Sequence, residues 1–324
     1  MKFFRAVLVL ALALTGAARA QPGPPATPRP DERPIADPDA TLVEELVVTA
    51  RYGGPAWWKV SDADTTVYVL GAPGLAPKRQ QWDQKLFERR LRGANVVILP
   101  YRGLRVRVGS SPGLAIAYLK LKSSTPFETT LSGPLRARFV AAREALDQPA
   151  KRYGTRNALA AGLMLGGDYR DKHELTTADP MKLIRYLAQQ AKVPIDQRTY
   201  DVTPLLARVA KTPTSGGMTC LEEVLGEAEA GPAATLAASR AWAQGDVPGA
   251  LAAERSYERC LAAAPGALAF DARTKADQAD AIAKALKTPG HAIALVPLRP
   301  LLSQGGVLDR LRAQGFTVKT PGEE

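Results

Sequence analysis

The chain has few of the side chains that bind metals or transfer protons near neutral pH. Its 324 residues include only two histidines, His173 and His291. A catalytic divalent metal needs about three protein ligands with lone pairs, so few combinations remain. His173 stands at a polar helix end and His291 opens a late strand. We expect neither to be a ligand, and we expect no metal, cofactor or catalytic residue.

Cysteine is equally scarce. The two cysteines, Cys220 and Cys260, do not form a Cys-x-x-Cys motif, so we do not expect a redox site. In an oxidising compartment such a pair favours a disulfide over two buried thiols. We predict the disulfide, which would stabilise the fold by about 4 kcal/mol in the chain-entropy model.

After residue 20 the sequence lacks any apolar run long enough to cross a membrane. The first twenty residues open with the basic side chains Lys2 and Arg5, continue with the apolar run Ala6–Leu14 and end in a small-x-small site at Ala20. This pattern is typical of a secretory signal peptide. We therefore expect the mature chain to be in the periplasm of a Gram-negative bacterium, or secreted, and not to span a membrane.

Residues 21–41 are rich in proline and acidic side chains, a composition that favours a flexible linker. The remaining residues, 42–324, are numerous enough for a single domain with a proper core. At its start, Val43–Arg51 resembles the TonB-box segment of outer-membrane receptors. It favours either a strand added to a partner or an ordinary edge strand or first helix.

Acidic side chains are scarce in one basic segment. Lys78–Lys122 contains eleven basic residues against Asp83 and Glu88. The segment forms either a solvated surface or a surface for an anionic envelope ligand such as a polysaccharide, a lipid headgroup or phosphate. In the second case the candidate anion-binding residues are Arg102, Arg105 and Arg107. Nucleic acid is not expected, because the chain has no recognisable binding motif.

The hydrophobic pattern predicts a mixed α/β fold. Strands are predicted at both ends of the chain: Ala56–Val60, Thr66–Leu70, Asn95–Leu99, Leu104–Val108, Leu114–Leu121, His291–Leu298 and Phe316–Thr320. Between them, residues 134–265 show helical spacing, with proline in the first turn of several helices, among them one predicted over residues 248–263. We expect a central mixed sheet, built from the N- and C-terminal segments, with a large helical insert.

Four stretches carry a resemblance to a known family: "GPAWWKVSDADTTVYVLGAPGLAP", "ANVVILP", "DARTKADQADAIAKAL" and "GGVLDRLRAQGFTV". They resemble the TraB/GumN family, which is related to the Tiki-type metalloproteases. The resemblance implies two Gly-x-x-His motifs after strands, a glutamate after another strand and an Arg-Asn pair on a late helix. The two histidines and the glutamate would form a metal-dependent hydrolytic site.

This chain departs from that pattern at every proposed ligand. The first motif falls on Gly71–Gly74, with Gly74 at the histidine position, and the glutamate falls on Pro100. The second motif falls on Pro297–Pro300, with Pro300 at the histidine position. The Arg-Asn pair becomes Arg273-Thr274. Glycine and proline side chains cannot coordinate a metal or transfer a proton.

The leading hypothesis is therefore a non-catalytic binding or scaffolding protein of the cell envelope, a pseudoenzyme of this family. One alternative is a divergent peptidase or esterase with a relocated site that uses carboxylates or Ser111. Ser111 lies in a Gly-x-Ser-x-Gly motif, but the proline after it disfavours the strained serine of a nucleophile elbow. The other alternative is an interaction protein that acts through the basic 78–122 surface. The partner, a protein or an anionic ligand, is unknown from the sequence.

Overall fold

The structure is a computed structural model, and it describes residues 37–50, 53–101, 103–107 and 112–323. The predicted signal peptide and residues 21–36 of the predicted linker lie outside these residues. So do Arg51, Arg102 and Ser111. Among the residues described, no helix has the length and apolar character that crossing a bilayer requires.

A six-stranded mixed sheet forms the centre of the fold, as predicted. The described residues form ten strands, and six of them belong to this sheet. The ten are Trp57–Ser61 (β1), Thr65–Ala72 (β2), Ala76–Pro77 (β3), Val97–Ile98 (β4), Gly103–Arg105 (β5), Leu175–Thr176 (β6), Ile195–Asp196 (β7), Thr199–Asp201 (β8), Gly290–Pro297 (β9) and Thr317–Lys319 (β10). The sheet order is β10-β1-β2-β9-β4-β7, and two short pairs, β3-β6 and β5-β8, lie outside it. β2, β9, β4 and β7 are parallel, and β1 is antiparallel to both of its neighbours.

The hairpin β1-β2 and the strand β9 are the sheet's longest elements, and both faces of the sheet are covered. Alternate residues of β9 point to opposite faces, so Ala294 packs in one core cluster with Val69 while Ile293 packs in another with Leu70. The hairpin turn is held by Asp62, whose Oδ1 accepts from the backbone N–H of Thr65 at 2.9 Å. Chain ends distant in sequence therefore share one sheet.

Helices surround the sheet and form the insert. They are Lys85–Leu91 (α1), Pro112–Leu121 (α2), Gly133–Ala145 (α3), Ala158–Lys172 (α4), Asp179–Gln190 (α5), Thr203–Val209 (α6), Thr214–Ala230 (α7), Ala233–Ala243 (α8), Val247–Ala250 (α9), Ser256–Ala262 (α10), Ala267–Ala285 (α11), Leu298–Leu302 (α12) and Val307–Ala313 (α13). The insert has its own core, in which aromatic and aliphatic side chains of α3, α4 and α7 pack together.

One strand prediction is wrong. Residues 114–121 lie in the helix α2 and not in a strand. Pro112 occupies its first turn, where proline's fixed φ favours a helix. The segment is apolar on almost every residue, so its spacing alone cannot separate the two structures. The packing of α2 against α6 stabilises the helix.

A predicted single helix over residues 248–263 is instead two short ones, α9 and α10. Arg255, at the break, has an extended φ of −123° and pairs its guanidinium with Asp37 and Asp39. Those contacts also show that residues 37–41, which the sequence placed in the linker, pack on the domain. Asp39 is 2% exposed. In the Val43–Arg51 segment, Glu44–Leu46 form one turn of 3-10 helix.

The two cysteines lie in α7 and α10, and they are close enough for the predicted disulfide. The Cα atoms of Cys220 and Cys260 are 4.6 Å apart, and both side chains are fully buried. The bond would link the two insert helices across a separation of 40 residues.

Candidate ligand-binding cavity

The degenerate motif positions meet at one edge of the sheet. Gly71 lies at the end of β2 and Gly74 just after it, and Pro100 follows β4. Pro297 ends β9, and Pro300 lies in α12 directly after it. Because β2, β4 and β9 are parallel, their carboxyl ends lie side by side, and Ala72 pairs with Pro297. This edge is where open parallel sheets place their ligand sites.

A cavity of about 490 Å³ opens at this edge. The segments that follow the strands contribute Gly74, Pro100 and Pro300 to its wall, β9 contributes Pro297, and α11 contributes Thr274. The helical insert closes the other side, with side chains of α4, α7 and α10, while residues 38 and 39 of the N-terminal segment reach its rim. The volume falls in the range of small-molecule sites, about 300–1,000 Å³.

Gly71 lies beneath the cavity and not in its wall. A Cβ atom built there would be 2.5 Å from Leu298 Cδ2 and 2.9 Å from Trp58 Cζ3. The Gly71 carbonyl accepts a hydrogen bond from Trp242 Nε1 at 2.6 Å. The glycine is therefore required by close packing between the sheet and α12, which is a structural role.

Gly74 is different, because nothing lies within 4 Å of a Cβ atom built on it. The missing side chain leaves open space that belongs to the cavity. Pro100 and Pro300, at the other two positions, carry no donor atom. Among the residues that the structure describes, no group of three or more histidine, cysteine, aspartate or glutamate side chains could hold a metal ion. The residues present do not fit the metal that the resemblance implies.

Arg273 and Thr274 are consecutive residues of α11, and their side chains point in different directions. Thr274 faces the cavity, whereas Arg273 is not in its wall: the Arg273 side chain is 71% exposed and lies 3.8 Å from Asp277. Three arginines outside the family motifs, Arg170, Arg255 and Arg299, line the cavity instead. Burial, with the nearby charge of Arg255, lowers the pKa of the Arg299 guanidinium from its ordinary value.

Buried charges hold the N-terminal segment at the cavity rim. Lys275, 5% exposed, places its Nζ 2.6 Å from Asp39 Oδ1 and 2.6 Å from Asp271 Oδ2. Arg255 binds the other oxygen of Asp39 at 3.2 Å. Arg299 donates to the Leu251 carbonyl at 2.6 Å. These charged groups are therefore held in ion pairs or hydrogen bonds within the protein, and their role here is structural.

The opposite, insert side of the cavity holds an unusual carboxyl group. Burial, together with the charge of Glu258, raises the pKa of Glu227 to about 7. Nearby, the Arg170 guanidinium lies over the Tyr257 ring, 3.6 Å from its centroid. Glu227 is one of four glutamates on α7, and its spacing does not distinguish it from the others. Sequence reasoning missed it because only the fold buries it.

Neither histidine reaches the cavity. His291 Nε2 is 2.7 Å from the Arg90 carbonyl, at the amino end of β9. His173 caps the carboxyl end of α4 and packs on the Tyr169 ring, 4.7 Å between centroids. These positions agree with the predicted helix end and strand start. Both contacts are structural.

Two of the remaining predicted residues, Arg105 and Arg107, lie on β5 or just after it. Arg105 is exposed. Arg107 Nε lies 3.2 Å from Asp201 Oδ2, and both side chains are solvent-exposed. Arg102 and Ser111 lie outside the described residues, so their predicted roles remain predictions.

These features define an α/β protein whose mixed sheet and helical insert enclose a cavity at the carboxyl ends of parallel strands. A family model described as the TraB/PrgY/gumN family matches residues 56–320. The match covers most of the chain, so the chain belongs to this family, as the quoted motifs predicted. No curated protein matches the chain, and no solved structure does.

Proposed function

We propose that this chain is a non-catalytic ligand-binding member of its family, exported to the cell envelope. The observation that carries the proposal is the cavity at the family's motif positions, where the three proposed ligand positions are Gly74, Pro100 and Pro300. A wall of this kind offers shape and apolar contact but no nucleophile, acid, base or metal ligand.

The cavity chemistry favours an amphipathic ligand. Its wall is mainly aliphatic, with Leu205, Leu251 and Leu261 among its members, so the body of the ligand should be apolar. Glu227 and Arg170 offer a polar end on the insert side. A single acyl chain with a polar head has both features.

The test uses a fluorescent acyl probe, dansyl-labelled undecanoic acid, titrated into the chain without residues 1–20. Gly74→Phe places a ring in the open space of the cavity and should weaken binding by about tenfold or more. Gly53→Phe is the matched control, because Gly53 is also exposed, has nothing near its Cβ position and lies outside the cavity wall. Equal affinity of the two variants, or no saturable binding by the parent chain, would contradict the proposal.

Glu227 supports a second candidate, a hydrolase with a relocated site. A carboxyl group with a pKa near 7 can act as a general acid or base at neutral pH. Under this candidate the parent chain cleaves ester or peptide substrates, and Glu227→Gln abolishes turnover. Activity that Glu227→Gln leaves unchanged would exclude this role.

Export is tested separately. The proposal expects the chain in the periplasmic or secreted fraction of expressing cells, with an intact mass that begins at Gln21. A chain that keeps Met1 in the cytoplasm would contradict it.

A further inference from the structure

Exposed apolar side chains lie on α2 and along β5 and the residue after it, and both elements pack on residues 199–209. Five large apolar side chains in residues 104–119 are between 42% and 70% exposed: Leu104, Val106, Ile116, Tyr118 and Leu119. Soluble proteins rarely leave so many large apolar side chains together in water. We call these five residues, with the basic side chains around them, the β5–α2 face.

The helix α2 has no cover on this side among the residues described. It packs on α6, yet only Ala117 of its described side chains is buried. The segment Leu114–Leu121 is apolar at every position except Lys120. A helix of this composition belongs in an apolar environment on the side that faces away from α6.

The charge on the β5–α2 face has one sign. Residues 103–122 contain Arg105, Arg107, Lys120 and Lys122 and no acidic residue. Within the described part of the chain, Asp201 is the carboxylate that pairs with one of them, and it lies 3.2 Å from Arg107. Lys122 Nζ lies 5.9 Å from the Tyr118 ring centroid. Basic and tyrosine side chains beside aliphatic ones match the headgroup region of an anionic bilayer.

The cavity opens beside this face. Leu104 belongs to both the face and the cavity wall. Three other large apolar side chains, Leu206, Leu261 and Leu268, also line the cavity and are about 40% exposed. A surface placed against the β5–α2 face would therefore lie next to the cavity mouth.

We propose that the β5–α2 face docks this protein on the surface of an anionic lipid bilayer. α2 lies in the plane of the interface, its aliphatic side chains enter the acyl boundary, and Lys120 and Lys122 contact the lipid phosphates. The docking is peripheral and reversible, since one helix of ten residues buries limited apolar area. This inference stands independently of the ligand proposed for the cavity.

Vesicle co-sedimentation tests the inference. Residues 1–20 are removed, so that the apolar run there cannot itself bind lipid. Vesicles contain phosphatidylcholine alone, or with about a third of phosphatidylglycerol. We expect binding to the anionic vesicles only, weakening by about tenfold or more as salt rises from about 50 to about 500 mM.

Matched variants locate the contact. Ile116→Ser with Leu119→Ser, and separately Lys120→Glu, should each weaken binding to anionic vesicles by about tenfold. Tyr186→Ser and Lys182→Glu are the controls, since both residues are exposed on α5 and outside the β5–α2 face. All five residues are exposed, so thermal unfolding should be unchanged.

A second measurement identifies which face contacts lipid. Leu119→Cys, labelled with nitrobenzoxadiazole, should shift its emission to the blue on anionic vesicles, whereas labelled Tyr186→Cys should not. Absent binding, equal binding of the face and control variants, or equal shifts of both dyes would overturn the proposal. So would a concentration-dependent dimer that the Ile116→Ser, Leu119→Ser change dissolves, because the face would then contact a second copy.

Discussion

Glu227→Gln should stabilise the protein at alkaline pH and leave its stability at acid pH unchanged. Burial raises the pKa of Glu227 to about 7 from an ordinary value of 4.5. Between these two values the folded chain binds a proton that the unfolded chain has released. The free energy of unfolding therefore falls as pH rises from 4.5 to 7, and it is constant above that interval.

The magnitude follows from the difference between the two pKa values. Each pH unit corresponds to about 1.36 kcal/mol, so a fully buried carboxyl would cost about 3 kcal/mol at pH 8. Glu227 is only partly buried, and water screens its charge. We therefore expect a cost of about 1–2 kcal/mol. Glutamine has nearly the same shape and stays neutral, so the substitution removes this cost.

The assay is urea unfolding, followed by circular dichroism, at about pH 4.5 and about pH 8. No reductant is added, so that the disulfide stays intact. Glu229→Gln is the control on the same helix. Glu229 is exposed, and its hydrogen bonds to Arg138 lower its pKa. Its substitution should cause a small loss of stability at pH 8, the opposite sign. A gain for Glu227→Gln that is equal at both pH values would refute the reasoning.

Three further predictions concern packing, the disulfide and the buried charges. Gly71→Ala should lower stability by about 1–3 kcal/mol because its Cβ meets Leu298, while Gly53→Ala should change it little; equal thermal shifts would contradict this. Reducing the disulfide between α7 and α10 should lower the free energy of unfolding by up to about 4 kcal/mol, measured by urea unfolding with and without reductant, and an unchanged midpoint would argue against the bond. Asp39→Asn should destabilise by about 3 kcal/mol and speed proteolysis of the N-terminal segment, because Lys275 loses a buried partner; unchanged cleavage would show that this pair does not hold the segment.

Local pattern predicted most of the elements that form the sheet. Thr65–Ala72 is rich in β-branched residues and β9 is a short apolar run, and both patterns predict a strand. α2 was mistaken for a strand because a segment that is apolar throughout carries no period. The break between α9 and α10 was missed because it depends on Arg255 meeting aspartates more than 200 residues away.

The candidate site divides in the same way. The sequence by itself determined that Gly74, Pro100 and Pro300 lack the donors of a metal site, since that property belongs to the side chain and needs no neighbours. Only the tertiary structure decided that these positions share one cavity, that Arg273 points away from it and that Glu227 enters it. Burial and the electric field at a carboxyl group are sums over neighbours from the whole chain, and folding alone brings those neighbours together.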